Sequence, residues 1–486
     1  RTMPQSSALL RYSPRRLSSY LPIAFNVTDL TSASHRGGRQ GGESDGGGQP
    51  WLFPCGLGLV FSICGRVNVL CEERKRDKGS GDLWTWGSGM QGQLGHGDYS
   101  SQASPRKVDA FEQLLLKSPV EKLSQCKAGS VTSACVTTLG RLFMWGRTSD
   151  SNASLQSLPK VIETFEEQGI QIVDFAVGDG FTIAVDSKGC VYSWGKSNRG
   201  QCGRPNKEVD TKDLWARRQL SDTLEIGRVE GTLAGKQITQ LASGRSHSLA
   251  LAEDGSVFTW GLGQDGQLGL GSRDDVLEPQ PMDYLNSLPP PFPPPPQPSP
   301  PARVKQVAAG QLFSAAVTTD GRLFTWGSDD YGQLGHGQES RRGLTPKLVR
   351  GALQGKRVSA VSCGAYHIGA ITEEGEVYVW GYGRDGETGH GEKSDIHIPA
   401  QVEALKGQRA VSISCGGGHT AVTTADGSLY MFGRGRDGQL GRGSDIESIA
   451  MYRTLPVVVE QFQQLKLSIA SVTCGGDHTM AITTPA

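Results

Sequence analysis

Hydrophobic and polar residues alternate over short stretches of this chain, and the same arrangement returns about every 50 residues. In the clearest copy, residues 248–252 alternate small or polar side chains with aliphatic ones, and Asp254-Gly255 follows as a tight turn. Residues 257–260, Val-Phe-Thr-Trp, are then β-branched or aromatic. A period of two, with a turn between β-forming segments, predicts antiparallel strands that bury one face.

The aromatic strand of each copy ends in a Trp-Gly pair or its equivalent. Successive pairs lie 49 to 66 residues apart, so the unit is about 50 residues long and carries insertions. The aromatic residues are Trp86, Trp145, Trp194, Trp260, Trp326 and Trp380, with Phe432 in the seventh copy. WD-type propellers repeat at about 40–45 residues and end in Trp-Asp, so they fit this pattern less well.

The glycine-led strands and the aromatic strands are offset along the chain. Seven glycine-led units begin near Gly129, Gly178, Gly244, Gly310, Gly364, Gly416 and Gly475. The first aromatic strand, at 83–86, has no such unit before it, and the last unit, at 474–484, has no aromatic strand after it. Pairing residues 82–87 with 474–484 would complete the seventh sheet and remove two exposed edges. We therefore predict an all-β, seven-bladed β-propeller over residues 81–486, closed by pairing its C-terminal strands with its N-terminal blade strand.

The composite motif resembles the regulator of chromosome condensation repeat. A glycine-led histidine strand, an Asp-Gly turn, an aromatic Trp-Gly strand and a Gly-Gln-Leu-Gly-x-Gly loop match that family along residues 81–486. The resemblance implies a seven-bladed propeller, in agreement with the repeat count. Blade two departs from the pattern, because residues 147–151 stand where Gly-Gln-Leu-Gly is expected. We expect a different surface loop there, with Asp150 as a candidate partner-binding residue.

Propellers act through loops on two flat faces, so the fold alone does not fix an activity. The family resemblance implies a scaffold for protein partners, and one candidate partner is a small Ran-like GTPase whose nucleotide the propeller would loosen without covalent chemistry. The founding member exchanges nucleotide through a wedge-like insertion and acidic face residues, which no motif maps onto this chain. A light-sensing relative uses extra clustered tryptophans. This chain has only Trp51, Trp84 and Trp215 outside the repeat position, which argues against that role.

Composition narrows the class of partner. The chain has 486 residues, with 49 basic and 49 acidic side chains, so no net field favours nucleic acid or an anionic membrane. The 66 glycines suit a protein of many positive-φ turns.

Residues 51–65 are apolar, but 15 residues fall short of the ~20 that a spanning helix needs. The ten cysteines include no Cys-x-x-Cys pair, so we expect no disulfide or zinc framework and a reducing compartment.

Two recurring motifs resemble a nucleotide-binding site and a metal site, but the repeat explains both of them better. Gly-x-Gly-x-x-Gly occurs four times at the repeat period without the helix of a dinucleotide fold, so no cofactor is predicted. One repeat position carries His247, His367, His419 and His478. Other units place Thr132, Phe181 and Phe313 there, which favours a structural hydrogen bond or interblade packing over metal ligation. We expect His96, His336 and His390 to be exposed and without a role, and we find no catalytic motif.

Two insertions break the repeat and are candidate partner sites. The first, at about 204–236, carries Trp215, Arg217 and Arg218, an aromatic residue beside two arginines as in interface anchors. A solvated loop is an equal alternative for it. The second, at about 283–302, includes ten prolines in residues 289–301. Phe292 begins a Phe-Pro-Pro-Pro-Pro run that resembles an EVH1 ligand, and the wider segment suits SH3 or WW domains or a plain polyproline spacer.

The N-terminal region suggests where the protein acts. Residues 1–40 hold six arginines, seven serines and one acid, Asp29, a composition of mitochondrial transit peptides or of a disordered basic tail. Residues 1–50 are thus a leader, and residues 51–80 stay unassigned. We predict a mitochondrial protein, with a cytoplasmic or nuclear location as the alternative. The corresponding alternative function is an organellar factor for mitochondrial RNA, ribosomes or a fusion GTPase. In either case we expect a monomer.

Overall fold

The computed structural model describes residues 81–115, 120–148, 155–204, 223–288, 301–337, 341–443 and 451–486. These residues form seven antiparallel sheets of four strands each, and the sheets follow one another around a ring. The predicted all-β, seven-bladed propeller is therefore confirmed. We number the sheets as blades 1 to 7, blade 1 being the sheet that joins the two ends of the ring.

The strands are five to eight residues long. The chain begins with β1 (Asp82–Gly87) and β2 (Gln102–Lys107). Blade 2 holds β3 (Leu123–Ala128), β4 (Thr132–Thr137), β5 (Leu142–Arg147) and β6 (Leu155–Val161). Blade 3 holds β7 (Ile172–Val177), β8 (Phe181–Asp186), β9 (Val191–Lys196) and β10 (Thr223–Arg228). Blade 4 holds β11 (Ile238–Ser243), β12 (His247–Ala252), β13 (Val257–Gly261) and β14 (Val276–Pro281).

The remaining blades repeat this arrangement. Blade 5 holds β15 (Val304–Ala309), β16 (Phe313–Thr318), β17 (Leu323–Ser328) and β18 (Arg342–Leu348). Blade 6 holds β19 (Val358–Cys363), β20 (His367–Thr372), β21 (Val377–Gly381) and β22 (Ile396–Gln401). Blade 7 holds β23 (Ala410–Cys415), β24 (His419–Thr424), β25 (Leu429–Arg434) and β26 (Tyr452–Val458). The chain ends with β27 (Leu467–Cys474) and β28 (His478–Pro485).

Short helical segments connect one blade to the next. In the part of the chain that the structure describes, four of them are α-helical, namely α1 (Asp109–Leu115), α2 (Glu163–Glu167), α3 (Asp283–Asn286) and α4 (Glu460–Gln464). Three are 3-10 turns, at Gly231–Leu233, Gly351–Leu353 and Glu403–Leu405. Each of α2, α3, α4 and the three turns buries one apolar side chain, which anchors the connection to the blades. Within the described residues, no helix is long and apolar enough to cross a membrane.

The ring closes where the offset of the repeat predicts. Strand β1 pairs with β28 from Asp82 opposite Thr483 to Gly87 opposite His478, and blade 1 has the order β2-β1-β28-β27. Strand β27 in turn contacts β3 of blade 2. The two ends of the propeller therefore lie in one sheet, and β1 has a partner on both sides.

The outer strand of each blade has one free edge, and in six of the seven blades a proline interrupts it. Six outer strands contain a proline at corresponding positions, namely Pro105, Pro159, Pro279, Pro346, Pro399 and Pro456. Because proline has no N–H, it interrupts the row of donors that another chain could pair with. Strand β10 has Ile226 at this position instead.

Neighbouring blades are joined through the indole of the Trp-Gly strand. In five junctions the indole Nε1–H donates to the carbonyl oxygen of the glutamine in the Gly-Gln-Leu-Gly loop of the preceding blade, or in the Gly-Gln-Cys-Gly loop of blade 3. The donors are Trp86, Trp145, Trp260, Trp326 and Trp380, and the acceptors are Gln439, Gln93, Gln201, Gln267 and Gln333, at 2.9 to 3.1 Å. A Cβ at Gly441 would lie 2.9 Å from Trp86 Nε1, and its φ is +69°, so this loop requires glycine.

The four repeat histidines lie in the same junctions. Their Nε2 atoms are hydrogen bonded to a hydroxyl of the next blade, at 2.8 to 3.0 Å; the pairs are His247–Ser314, His367–Thr420, His419–Thr479 and His478–Ser133. Each hydroxyl also donates to the main-chain oxygen of the preceding loop, as from Ser314 to Gln267. Burial lowers the pKa of the histidines to about 3 or 4, so the rings are neutral at physiological pH. Among the described residues, no group of three or more potential metal ligands is present.

Two predictions about side chains are wrong. His96, His336 and His390 are half-buried rather than exposed, and each ring binds an oxygen of its own aromatic strand, as in the 2.9 Å pair of His96 with Thr85. They are placed there because the loop folds back over that strand. The expectation of no disulfide is also incorrect. Cys126 and Cys135 are bonded to each other, because antiparallel pairing of β3 with β4 sets them directly opposite.

The structure describes part of each predicted insertion. Strand β10 and the turn at Gly231–Leu233 lie in the C-terminal part of 204–236; the strand completes blade 3, and the turn connects it to blade 4. Helix α3 likewise lies inside 283–302 and connects blades 4 and 5. Five predicted partner-binding residues lie outside the described residues, namely Asp150, Trp215, Arg217, Arg218 and Phe292.

Candidate interaction face

The antiparallel blades divide the loops between two faces. The loops from first to second strand and from third to fourth strand leave the blades on one side, which we call the loop face. The hairpin turns, such as Asp254-Gly255, and the helical connections lie on the other side, which we call the turn face. On the loop face, the inner loops surround the channel and the outer loops carry the Gly-Gln-Leu-Gly motif.

The inner loops form a rim around the mouth of the channel. The mouth encloses a cavity of about 380 Å³. Backbone hydrogen bonds run from loop to loop around it, for example from Arg245 N to Gln311 O at 3.1 Å and from Ala365 N to Gly416 O at 3.0 Å. An exposed ion pair of Arg245 with Asp179 adds little, because solvent screens it. The rim is thus a rigid frame made mainly of main-chain atoms.

Three tyrosines gather on the loop face where blades 5 and 6 meet. Tyr331 comes from the outer loop of blade 5, Tyr366 from the inner loop of blade 6 and Tyr382 from the outer loop of blade 6. The ring of Tyr331 makes edge-to-face contacts with those of Tyr366 and Tyr382, with centroids 5.3 and 5.0 Å apart. All three side chains are half-buried, and Ala365, beside Tyr366, lines the channel mouth. We call these residues the tyrosine cluster.

Two buried carboxyl groups lie in the outer loops that carry the cluster. Burial raises the pKa of Asp329 to about 7, although the Leu334 N–H donates to its Oδ1 at 2.8 Å. Burial also raises the pKa of Glu387 to about 8. Glu387 stands where the corresponding loops of five other blades have glutamine. The aromatic side chain that faces its loop is Phe432, whose ring has no N–H to donate. The substitution of glutamine by Glu387 and that of tryptophan by Phe432 thus fall at the same junction, between blades 6 and 7.

The residues of the tyrosine cluster are not among those predicted from the sequence to bind a partner. Its three members are 16 to 51 residues apart and occupy variable positions of the repeat. Tyr366 lies directly before a repeat histidine, and Tyr382 directly follows a Trp-Gly pair. One feature of the sequence could have revealed them: two consecutive repeats have tyrosines in the loops that belong to the loop face. No single motif marks them as a site.

Comparison with known proteins finds a matching family model and several similar relatives. The model of the RCC1-like domain matches residues 82–481. The ultraviolet-B receptor UVR8 of Arabidopsis thaliana is 32% identical over 385 residues, which cover 78% of each protein. The mitochondrial RCC1 domain-containing protein RUG3 of the same plant is 28% identical over 424 residues, covering 82% of this chain and 88% of RUG3. The chain also matches human HERC2 at 32% identity but spans only 6% of that ubiquitin ligase.

Solved structures agree on the fold. The crystal structure of Prp20p from Saccharomyces cerevisiae superimposes with a TM-score of 0.67 at 22% identity, over 84% of this chain and 92% of Prp20p. At this identity the likeness concerns the fold alone. The family model and the UVR8 match show that the chain belongs to the RCC1-like family of seven-bladed propellers.

Proposed function

We propose that this propeller is a protein-interaction scaffold that binds its partner on the loop face. The tyrosine cluster beside the channel mouth carries this proposal. Tyrosine is enriched in binding hot spots, since a ring buries much apolar area at little entropic cost and keeps a polar tip. The mouth of the channel lies beside the cluster, and its rigid rim would not need to reorganise when a partner binds.

A small GTPase is the partner class that the family resemblance supports. The study of Prp20p names its binding to Gsp1p and histones. For this chain we propose that a GTPase docks on the loop face and that docking accelerates nucleotide release. No covalent chemistry by the propeller is required for this activity.

Nucleotide release provides the test. Purified full-length chain would be mixed with small GTPases loaded with fluorescent GDP, and the release rate measured. We expect acceleration for one GTPase, loss of it with Tyr382→Ala, and no change with Tyr284→Ala. Tyr284 is a suitable control because it is exposed, at 47%, on α3 of the turn face. If no GTPase in the panel responds, the exchange hypothesis is wrong and the scaffold proposal stands alone.

The scaffold itself is tested by proximity labelling with the full chain in cells. Proteins labelled by the wild type and by Tyr284→Ala, but lost with Tyr382→Ala, would support binding on the loop face. An identical set of labelled proteins for all three chains would refute it.

A mitochondrial function is the second candidate. The arginine-rich composition of residues 1–40 and the match to mitochondrial RUG3 support it. A fusion of residues 1–50 to a fluorescent reporter would test import, and a cytosolic or nuclear signal would contradict it. Residues 289–301 stay a proposed ligand of proline-recognition domains, to be tested by binding of that peptide to EVH1, SH3 and WW domains.

A further inference from the structure

We propose that the tyrosine cluster is the anchor for a basic segment of the partner protein. An arginine or lysine of that segment would lie against the rings of Tyr331 and Tyr366 and pair with Asp330 and Asp385. This inference rests on the proposed scaffold function and specifies the chemistry of the partner at one place on the loop face.

The cluster is preorganised for binding. Its members come from three loops of two blades, and their mutual edge-to-face packing fixes each ring before a partner arrives. Tyr331 is further positioned by its own main chain, because its N–H donates to Gln333 Oε1 at 2.9 Å. A partner that binds here would therefore lose little free energy to the ordering of these side chains.

The cluster already accepts one guanidinium group. Arg384 places its guanidinium carbon 5.8 Å from the ring centroid of Tyr382, and its Nη2 is 3.2 Å from Asp395 Oδ2. This combination of a ring face and a carboxylate is the environment that an arginine of a partner would need. In the described part of the chain, no cation lies over Tyr331 or Tyr366.

Carboxylates make the surroundings of the cluster complementary to a cation. Asp330 directly precedes Tyr331 and is exposed, and Asp385 lies three residues after Tyr382 and is half-buried. The charge of Asp330 interacts with that of Arg342, which is itself paired with Asp265, and Asp385 forms no ion pair with a residue that the structure describes. Ser328 Oγ donates to Asp330 Oδ2 at 3.2 Å, which holds this carboxylate in place beside Tyr331. Because Arg384 is paired with Asp395 and Arg342 with Asp265, the carboxylates of Asp330 and Asp385 leave negative charge beside the rings.

Defined peptides test this chemistry on the full chain. Three peptides with the same glycine-serine backbone would carry four arginines, four glutamines or four glutamates, and a fourth would carry Phe-Pro-Pro-Pro-Pro. Affinities would be measured by isothermal titration calorimetry at two salt concentrations. We expect the arginine peptide to bind most tightly and to weaken in high salt, as an ionic contribution requires.

Variants locate the binding site. Tyr331→Ala and Tyr366→Ala should each weaken the arginine peptide by about twofold to thirtyfold, the range of one cation–π contact. Asp385→Asn should also weaken it. Two controls should leave it unchanged, namely Tyr284→Ala on the turn face and Asp274→Asn, an exposed carboxylate in the outer loop of blade 4. Circular dichroism and melting curves would establish that each variant is folded.

The outcomes separate this inference from the scaffold proposal. Equal binding of the arginine and glutamine peptides, absence of binding, or binding insensitive to the substitutions at Tyr331, Tyr366 and Asp385 would overturn the basic anchor. Preference for the proline peptide would also overturn it and would assign the cluster to polyproline ligands. In each of these cases, proximity labelling that still depends on Tyr382 would leave the scaffold proposal intact.

Discussion

The indole Nε1 of Trp86 donates a 2.9 Å hydrogen bond to the carbonyl oxygen of Gln439, although 353 residues separate them in the chain. Thr479 Oγ1 donates to the same oxygen at 2.9 Å, and His419 Nε2 is 3.0 Å from that hydroxyl. Strands from both ends of the propeller thus meet at one buried acceptor. The junction of blades 7 and 1 has the same hydrogen bonds as the junction of blades 4 and 5, so the closure is built like an internal junction.

Replacing Trp86 by phenylalanine should weaken this junction without unfolding the ring. Phe432 fills the equivalent place in blade 7, so the smaller ring is compatible with the blade. We expect a loss of about 1–3 kcal/mol, from one hydrogen bond and from reduced packing. Urea denaturation measures it. Trp84→Phe is the control, because Trp84 is only half-buried and its Nε1 donates to the Thr483 hydroxyl rather than to the junction carbonyl, so it should matter less; an equal loss in both would contradict the role of the Gln439 contact.

His419 and Thr479 should be energetically coupled. Thr479→Val leaves the buried His419 Nε2 without its partner and should cost about 1–3 kcal/mol. Blades 5 and 6 have Phe313 and Ile368 at the corresponding positions, which shows that an apolar pair can fill this space. The double variant with His419→Phe should therefore lose less than the sum of the single variants, by about 0.5–2 kcal/mol. Strictly additive losses in a double-mutant cycle would disprove the coupling.

Stability should fall in mild acid because the four junction histidines are buried and neutral. Their pKa values are lowered to about 3 or 4 in the folded chain, whereas in the unfolded chain they are near 6.5. Between these values the unfolded state binds more protons, so the free energy of unfolding falls as pH drops from about 6.5 towards 4. Denaturation from pH 8 to 4 measures this. The double variant at His419 and Thr479 should show a shallower decline.

Glu387→Gln should stabilise the protein most at alkaline pH. Burial raises the pKa of Glu387 to about 8, so the folded chain binds a proton that the unfolded chain has released above pH 4.5. Stability contributed by the neutral form is therefore lost as pH rises from 4.5 through 8. Glutamine supplies the same acceptor for Asp385 N–H without ionising. Melting temperatures at pH 5 and pH 9 should diverge between variant and wild type only at pH 9. Asp385→Asn serves as control.

Deleting residues 478–486 should abolish cooperative folding. Strand β28 lies between β1 and β27, so its loss would leave both without a partner on that side and open the ring. Size-exclusion chromatography and thermal melting measure the effect. Deleting only Pro485 and Ala486 preserves the pairs from Asp82–Thr483 to Gly87–His478 and should be tolerated. A truncated chain that melts like the intact one would refute the importance of closure.

The sequence determined the architecture of this protein. The spacing of the Trp-Gly pairs and the offset of the glycine-led units were sufficient to predict seven blades and the pairing of β1 with β28. Such patterns can be recognised in a sequence because the alternation of residues in a strand and the glycine in a turn depend only on the local backbone conformation. The shared position of His247, His367, His419 and His478 also predicted a structural role rather than a metal site, although not the hydroxyl that each ring binds.

Tertiary structure alone decided which variable residues meet. Tyr331, Tyr366 and Tyr382 become one surface only because adjacent blades deliver their loops to the same face. The Cys126–Cys135 bond follows from the register of two strands, and the raised pKa of Glu387 follows from burial of its loop against the strands of blade 7. These properties depend on distances between residues far apart in the chain, which the repeat pattern does not contain.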